Sequence, residues 1–562
     1  VAAEYDLSVY VPEGVWNSVD QVGVRSWNRG SASATVCSGR SPTGISLYGD
    51  GPRKSIIKLN DTPNQNFSNA SAPLDFIISF NDLGDNCLPS DNPPVGDSYT
   101  YNGVERSEFA ANGFNMMISG IGIDAGTEGV AGNKAGFRGL AMLGAQVSGV
   151  ENVEVNARGL GVACFGQLGG RTGGGRNLSC RDTESAIIWE RGTNDNVVGL
   201  TATGLTGPMV KIDSRTAGYI TGFYVETDGS SPVFQDYEVN AFSTQSGALE
   251  IQDGTIYYTS DSADADKDTI EWETTGEDNT FVMRDVQIYG RTSGRKIFDG
   301  RGSNDLNSLT NGWQYIEELA LGQNLGKGTF NTSNHQYTTF SAYTIIDGVK
   351  TEGGFHVDGH TTLGAPVANL FEKWWDMDPL YPFDSGVLST LNDFCIPNRG
   401  QKTTHAEFNT MLARNDPKVL VSKGVYVFGD SVVLEDTQLF GHQPYINRVV
   451  VDGAWQTAGV QEYLFETVAD ATGTPTIRGF QLYDYGRADQ TQGQWDLQDD
   501  TRLHGLIDWK AGGESRISYL RAKKSHAAPK PSTVQTNKII INYSGPTAGG
   551  IIDNIDAGMK AE

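Results

Sequence analysis

Acidic and aromatic side chains crowd one short segment of the chain, residues 483–509. Six aspartates and four aromatic residues lie there: Asp484, Asp489, Asp496, Asp499, Asp500, Asp508, Tyr483, Tyr485, Trp495 and Trp509. Hydrolysis of a glycosidic bond uses one carboxyl group to protonate the leaving oxygen and a second group to attack or to activate water. Aromatic faces in turn bind sugar rings. The segment therefore predicts a carbohydrate-cleaving site.

Two carboxylates of this segment are the expected catalytic residues, Asp484 and Asp508. Each comes at the end of an apolar strand, where a rigid backbone holds the acid while the following loop shapes a groove. For Trp509, packing in the core is the alternative to sugar binding. The expected substrate-binding residues are Tyr483, Tyr485, Trp495 and Trp509.

Glu190 and Asp213 form a second candidate catalytic pair. They follow the apolar runs 187–189 and 210–212, whose alternation directs every second side chain inward. Phe165, Glu190 and Asp213 would then take the same outward position on consecutive coils, about 4.8 Å apart per coil. Crowding of like charges raises the pKa of one carboxyl group toward the value that a general acid needs. The alternative is a solvated acidic wall.

Strands must position both candidate sites, because residues 137–289 consist of short apolar-alternating runs separated by Gly, Asn and Asp. Val155, Cys180, Thr201 and Tyr224 mark equivalent positions, with spacings of 25, 21 and 23 residues. A second set of runs, at 162–165, 187–190, 210–213 and 249–252, interleaves with the first. This period predicts a right-handed parallel β-helix. The residues predicted to face inward are Val155, Cys180, Ile212 and Val225.

The same entry pattern occurs twice, at residues 7–16 and 418–427, where a strand is followed by Gly and an aromatic residue. The sequence therefore predicts an all-β fold of two tandem right-handed parallel β-helices with a connector. We expect a first β-helix at 1–375, a linker at 376–402 that contains several prolines, and a second β-helix at 403–562. A short amphipathic helix at 404–413 should cover the entry strand of the second β-helix, which begins near residue 418.

These entry patterns resemble those of the pectate-lyase-like superfamily of parallel β-helix proteins. The tandem arrangement resembles the exo-β-1,3-glucanases of glycoside hydrolase family 55, and the strands 477–484 and 504–509 look like that family's Asp-containing strand and its Gly-aliphatic-acid-Trp strand. The resemblance implies two β-helices side by side with a substrate cleft between them. Phage tailspikes share the same pattern, so the family resemblance leaves both protein classes open.

The composition of the chain argues against nucleic acid and membrane as partners. The chain has 562 residues with 42 Lys plus Arg against 68 Asp plus Glu, a net charge of −26, which argues against nucleic-acid binding. The sequence contains no run of 18 apolar residues, so it does not predict insertion into a membrane. The first residue, Val1, is not an initiating methionine, so we expect a processed, trimmed or partial polypeptide. The expected location is secreted or extracellular, or the surface of a virion, and homo-oligomer formation is left open.

No cofactor or metal is expected, although the run from Asp261 to Asp268, with Glu271 after it, offers oxygen ligands that would suit calcium. A solvated loop is the better interpretation, because the run lacks the ligand order of an EF-hand. The five cysteines have no metal-ligand spacing, and either a Cys37–Cys87 bridge or buried thiols fit their positions.

Two functions follow from these patterns. The first is an extracellular glycoside hydrolase that cleaves a polysaccharide by carboxylate acid–base catalysis. The second is a structural or adhesive rod, such as a virion tailspike or a surface filament subunit. A pair of carboxylates within catalytic distance favours the enzyme, whereas a smooth wall of solvated acids favours the rod.

Overall fold

The structure is a computed structural model, and the part of the chain that it describes comprises residues 8–19, 22–25, 46–63, 76–81, 98–101, 104–107, 116–127, 129, 134–143, 148–168, 174–189, 195–212, 217–236, 248–260, 269–272, 280–290, 296–300, 306–308, 311–321, 330–331, 336–337, 343–346, 349–352, 356–368, 370, 389–390, 403–404, 409, 412, 418–421, 424–441, 447–451, 462–470, 472–483, 504–524, 541–545 and 547–559. The chain divides into two compact units, Val1–Pro379 and Leu380–Glu562. Within the described residues, no helix is long and apolar enough to cross a membrane.

The first unit is built from strands. They are β1 (Ser8–Val11), β2 (Gly14–Ser18), β3 (Val22–Arg25), β4 (Ser46–Gly49), β5 (Ser55–Leu59), β6 (Phe76–Asn81), β7 (Ser98–Tyr101), β8 (Val104–Ser107), β9 (Met117–Asp124), β10 (Arg138–Leu143), β11 (Gly149–Asn156), β12 (Ala163–Leu168), β13 (Gly174–Arg181), β14 (Ser185–Trp189), β15 (Asp195–Leu205), β16 (Val210–Ile212), β17 (Ala217–Thr227), β18 (Phe234–Asp236), β19 (Ala248–Tyr258), β20 (Ile270–Trp272), β21 (Thr280–Gly290), β22 (Lys296–Gly300), β23 (Leu306–Ser308), β24 (Gly312–Leu321), β25 (Phe330–Asn331), β26 (Gln336–Tyr337), β27 (Tyr343–Ile346), β28 (Val349–Glu352) and β29 (His356–Leu363).

Consecutive strands from β9 to β22 alternate between two long sheets, so each coil contributes one strand to each sheet. One sheet runs β9-β11-β13-β15-β17-β19-β21 and the other β22-β20-β18-β16-β14-β12-β10, and the pairs along both are parallel. This topology is a parallel β-helix and confirms the predicted all-β fold class. The stack closes where the pairing turns antiparallel, at β21–β24, β24–β29 and β22–β23.

A corner divides the strands of the longer sheet at one recurring position. Aligned residues of successive coils there have a positive φ, between 47° and 77°, and they are Asn152, Asn177, Gly199, Gly222, Asp253 and Asp285. Gly, Asn and Asp adopt the left-handed region at the lowest cost, which is why these three types recur in the sequence. Because of this corner, each long strand contributes to two faces of its coil.

This corner gives a first testable prediction. Gly222→Ala places a Cβ on a backbone with φ of 70°, and we expect it to lower the free energy of unfolding of the first unit by about 1–2 kcal/mol. Asn152→Gly, at the equivalent position three coils before Gly222, is the control and should change the stability little. Urea unfolding of both variants measures the difference, and equal stabilities would contradict the left-handed corner.

The interior of the first unit confirms the predicted inward residues. Val155, Cys180, Ile212 and Val225 are all fully buried in one continuous apolar core. The prediction that Phe165 faces outward is wrong, since Phe165 is also buried. Its strand pairs Phe165 with Ile187 and not with the position of Glu190, so the expected register slips in this coil.

Two further assignments differ from the sequence interpretation. The run 249–252 belongs to β19 in the longer sheet and pairs with β17, so it is not part of the second set of runs, in which the sequence interpretation placed it. Cys164 and Cys180 form a disulfide, with Cα atoms 5.7 Å apart, inside the core. The Cys37–Cys87 alternative lies outside the described residues.

The second unit has its own core and its own coils. Its strands are β30 (Ser389–Thr390), β31 (Thr403–Thr404), β32 (Lys418–Val421), β33 (Gly424–Phe428), β34 (Val432–Leu434), β35 (Gln438–Gly441), β36 (Asn447–Val451), β37 (Glu462–Thr467), β38 (Thr476–Arg478), β39 (Gln481–Tyr483), β40 (His504–Trp509), β41 (Arg516–Lys524), β42 (Ile541–Tyr543) and β43 (Ile551–Met559). Three strands make each full coil, for example β35, β36 and β37, and all pairs between coils are parallel.

The entry of the second unit differs in part from the prediction. Pairing begins before residue 418, because β30 pairs with β32 and β31 pairs with β33. Part of the stretch predicted as a linker, Ser389–Thr390, thus joins this sheet. In the predicted helix 404–413, Thr404 ends a strand, while Asn409 and Leu412 are helical and Leu412 packs against the second core. The other residues of that helix lie outside the described part of the chain.

Candidate functional site

Three polar residues occupy one position on successive coils of the second unit. Glu466 of β37 pairs with Asp508 of β40, and Asp508 pairs with Asn542 of β42. Parallel strands are about 4.8 Å apart, so aligned side chains on one face are neighbours. These three residues form a row that we call the carboxylate row.

The local sequence explains why the row faces outward. The motifs Tyr463-Leu-Phe-Glu466 and Gly505-Leu-Ile-Asp508 place two adjacent apolar side chains before each acid. Leu464, Phe465, Leu506 and Ile507 are all fully buried in the second core. From Phe465 and Ile507 onward the side chains alternate, so the acid that follows each points to the other face of its strand.

Asp508 is held by three donors. Asn542 Nδ2 donates to Asp508 Oδ1 at 2.9 Å, and Ser544 Oγ donates to the same oxygen at 2.6 Å. The ammonium group of Lys510 lies 2.8 Å from Asp508 Oδ2. The side chain of Asp508 is only 9% exposed. Both oxygens therefore accept hydrogen bonds in a fixed geometry.

Lys510 joins the two acids of the row. Its Nζ also contacts Glu466 Oε2 at 3.1 Å. The hydrogen bond to Asp508 raises the pKa of Lys510 above its usual value; partial burial opposes this rise, and the contact with Glu466 adds to it. One ammonium group thus offsets the repulsion between two neighbouring carboxylates.

The two bound carboxylate oxygens are no more than about 6 Å apart, because both contact the same Nζ atom. Retaining glycosidases hold their carboxyl groups roughly 5–5.5 Å apart, and inverting ones roughly 6.5–9.5 Å apart. The bound oxygens of Glu466 and Asp508 are therefore closer together than the carboxyl groups of an inverting pair.

Tyr463 completes the polar surface of this site. It pairs with Gly505, where a Cβ atom would stand only 2.2 Å from Tyr463 Cε1, so the ring lies across the backbone of the next coil. Burial raises the pKa of the Tyr463 phenol, and the charges of Asp508 and Glu466 raise it further. A hydrogen bond with the Asn542 side chain lowers it in part. The hydroxyl group thus stays protonated beside the carboxylate row.

The residues of segment 483–509 that were predicted to form a site have different positions in the structure. Asp508 belongs to the carboxylate row, and β39 ends at Tyr483, whose backbone pairs with Val450 and Lys523. Trp509 is fully buried in the second core, and its Nε1 donates to Gly549 O at 3.2 Å. Its ring has no face open to a sugar, which corrects its predicted role. Three predicted residues lie outside the described part of the chain, namely Asp484, Tyr485 and Trp495.

The second predicted pair, Glu190 and Asp213, also lies outside the described residues. Other carboxylates on the outer wall of the first unit are paired with arginine. Glu154 contacts both Arg53, at 3.2 Å, and Arg181, at 3.1 Å. Arg284 lies between two glutamates of neighbouring strands in the same way. These contacts place the wall carboxylates in partly exposed ion pairs with arginine.

A cavity of about 480 Å³ lies at a second turn of the first unit, and its charged lining residues are Arg158, Asp182 and Glu184. Arg158 donates to both oxygens of Asp124 at 2.6 Å. Partial burial raises the pKa of Asp124, but the hydrogen bonds from Arg158 and from Gly126 N outweigh it and lower that pKa overall. Glu184 lies 3.8 Å from Lys211. Two of the lining groups, Arg158 and Glu184, thus serve ion pairs, and Asp182 lines the cavity beside them.

Sequence reasoning missed Glu466, Lys510, Asn542 and Ser544. One signal was available, since residues 463–466 and 505–508 share two apolar residues followed by an acid. Within the residues that the structure describes, no group of three or more His, Cys, Asp or Glu side chains could hold a metal ion. The run from Asp261 to Asp268 is outside that part of the chain, so its calcium prediction stays a prediction.

No family model matches the chain, and no curated protein matches it. Among solved structures, it is similar to the catalytic domain of a GH87 alpha-1,3-glucanase in complex with nigerose, at 11% identity, with a TM-score of 0.27. A variant of that catalytic domain in complex with tetrasaccharides gives 8% identity and a TM-score of 0.26. Both alignments cover 98% of this chain and 63% of the other, so the chain spans less than two thirds of the glucanase chain.

A mutant of the PL6 family alginate lyase AlyGC gives 9% identity and a TM-score of 0.16, covering 98% of this chain and 97% of that one. At such low TM-scores these likenesses carry no argument about activity. The fold assignment rests on the strand pairing described above.

Proposed function

We propose that the protein is an extracellular carbohydrate-active enzyme, a glycoside hydrolase that cleaves a polysaccharide with the carboxylate row of its second unit. One observation carries the proposal: Glu466 and Asp508 stand on adjacent coils at a separation suited to glycosidic cleavage, held by Lys510. The rigid strands on which they stand keep that separation fixed.

The contacts of Asp508 and Glu466 suggest which of them takes each of the two catalytic roles. Asp508 accepts hydrogen bonds on both oxygens, which suits an ionised carboxylate that attacks the sugar or activates water. Glu466 is more exposed, at 28% of its side chain, so it is the acid of the pair that the leaving oxygen would approach. Asp484 remains a catalytic candidate from the sequence.

The extracellular location has support in the cysteines. Cys164 and Cys180 form a buried disulfide, and disulfides persist mainly in oxidising compartments outside the cytosol. The same compartment is where a polysaccharide substrate would be met. The virion surface fits this requirement equally well.

A screen of reducing-sugar release tests the proposal. The intact protein is incubated with β-glucans, α-glucans, uronans and bacterial capsular polysaccharides, and new reducing ends are measured. Release from at least one glycan is the expected result. No release from any glycan in the panel would reject the hydrolase and leave the rod.

The second candidate function is a structural or adhesive rod, such as a virion tailspike or a surface filament subunit. The arginine pairing of Glu154 and of the two glutamates beside Arg284 favours it, because these wall acids are neutralised in the first unit. A rod would be expected to form homo-oligomers and to bind a glycan without cleaving it.

A further inference from the structure

Three aromatic rings form a row on the outer wall of the first unit. Tyr257, Tyr289 and Trp313 occupy one position on the successive strands β19, β21 and β24. The rings of Tyr257 and Tyr289 are parallel, with centroids 4.9 Å apart, whereas Trp313 lies 5.0 Å from Tyr289 and is tilted by 54°. All three rings are half-buried, so part of each is open to solvent.

An open shelf runs beside the tryptophan end of this row. Gly290 pairs with Gly312, and Gly364 follows Leu363, the residue that pairs with Trp313. At both Gly312 and Gly364, a Cβ atom would have no neighbour within 4 Å. Bare backbone at these two glycines therefore borders Trp313, and among the described residues the space directly beside each glycine is open.

Hydrogen-bonding side chains surround the row. Glu226 precedes Tyr257 at the same position, and the Tyr224 hydroxyl donates to Glu226 Oε1 at 2.6 Å. Tyr315 donates to Asp285 on the neighbouring strand. Burial raises the pKa of Tyr315, and the charges of Asp285, Glu317 and Asp253 raise it further. Within the described residues, the charged groups that act on the Tyr315 phenol are thus acidic.

We propose that Tyr257, Tyr289, Trp313 and the glycine shelf form a binding surface for a neutral glycan, separate from the carboxylate row. Aromatic faces stack on the apolar faces of sugar rings, and the flanking carboxylates and phenols bond sugar hydroxyls. The acidic side chains repel an anionic polysaccharide, since the whole chain carries a net charge of −26. Ring stacking between Tyr257 and Tyr289 also joins their coils, but that role does not require the open shelf.

Affinity electrophoresis and titration calorimetry of the intact protein test this surface. The probes are neutral gluco-oligosaccharides and oligouronates of the same length. We expect the neutral probe to bind and Trp313→Ala to weaken that binding about tenfold or more, as for the loss of an aromatic anchor. Tyr219→Ala is the matched control, because Tyr219 is 50% exposed on the same sheet but outside the row.

A second variant separates binding from folding. Gly364→Leu fills the shelf from an exposed position with free space, so it should weaken binding similarly while leaving the melting temperature unchanged. Equal binding by the parent, Trp313→Ala and Gly364→Leu would overturn the proposal, as would equal binding of oligouronates or no binding of the neutral probe. Hydrolysis is measured in a separate assay. If the carboxylate row proves not to be catalytic, the glycan-binding result can therefore still be interpreted.

Discussion

Replacing Asp508 by Asn is expected to lower kcat on the cleaved glycan by about 10²–10⁴-fold. The amide keeps the shape of the carboxylate but has neither its charge nor its basicity. In the amide, a donating NH2 group replaces one of the two oxygens with which Asp508 accepts from Asn542, Ser544 and Lys510. We therefore expect a loss of stability of about 1–3 kcal/mol as well, and kcat must be compared at a temperature where the variant is folded.

Two further variants sharpen this prediction. Glu466→Gln removes the other acid of the pair and should lower kcat by a similar factor. Asp436→Asn is the control, because Asp436 only accepts a hydrogen bond from Thr474 N elsewhere in the same unit. Full activity of Asp508→Asn would place the site elsewhere, with Asp484 and the pair Glu190 and Asp213 as the next candidates.

Truncation of Trp189 is expected to have the largest effect on stability. Trp189 is fully buried in the first core, and a Cβ atom at Gly218 would stand 2.3 Å from its Cζ3 atom, so the ring is tightly packed. Trp189→Ala leaves a cavity in this core and should lower the free energy of unfolding by about 3–5 kcal/mol.

Trp16→Ala is the matched control, since Trp16 is 48% exposed and its loss should cost less than about 1 kcal/mol. Chemical unfolding is followed for the transition of the first unit, because two compact units need not unfold together. Similar losses for the two tryptophans would contradict the burial of Trp189 between the coils.

The coil architecture was predictable because it depends on local pattern. Alternation placed Val155, Cys180, Ile212 and Val225 inward, and their burial confirms it. The repeated Gly, Asn and Asp residues signalled turns, and the structure shows that they form one aligned corner. Exact register was less predictable, since a slip of one residue moves a side chain to the other face, as at Phe165.

The candidate site was predictable only in part. Asp508 ends an apolar run, and that feature is visible in the sequence. Lys510 follows Asp508 closely in the sequence, but Asn542 and Ser544 lie 34 and 36 positions away, so only the pairing of coils brings these two to Asp508. Trp509 was misjudged on composition, since the alternation that turns Ile507 inward and Asp508 to the other face also turns Trp509 inward.

The anomeric configuration of the first product tests the central claim most directly, namely that Glu466 and Asp508 are the reacting pair. Proton NMR of a fresh digest, recorded before the sugar mutarotates, reports that configuration. Two carboxyl groups whose bound oxygens are no more than about 6 Å apart predict retention. An inverted product would contradict this pair, because inversion requires room for a water molecule between acids that stand farther apart.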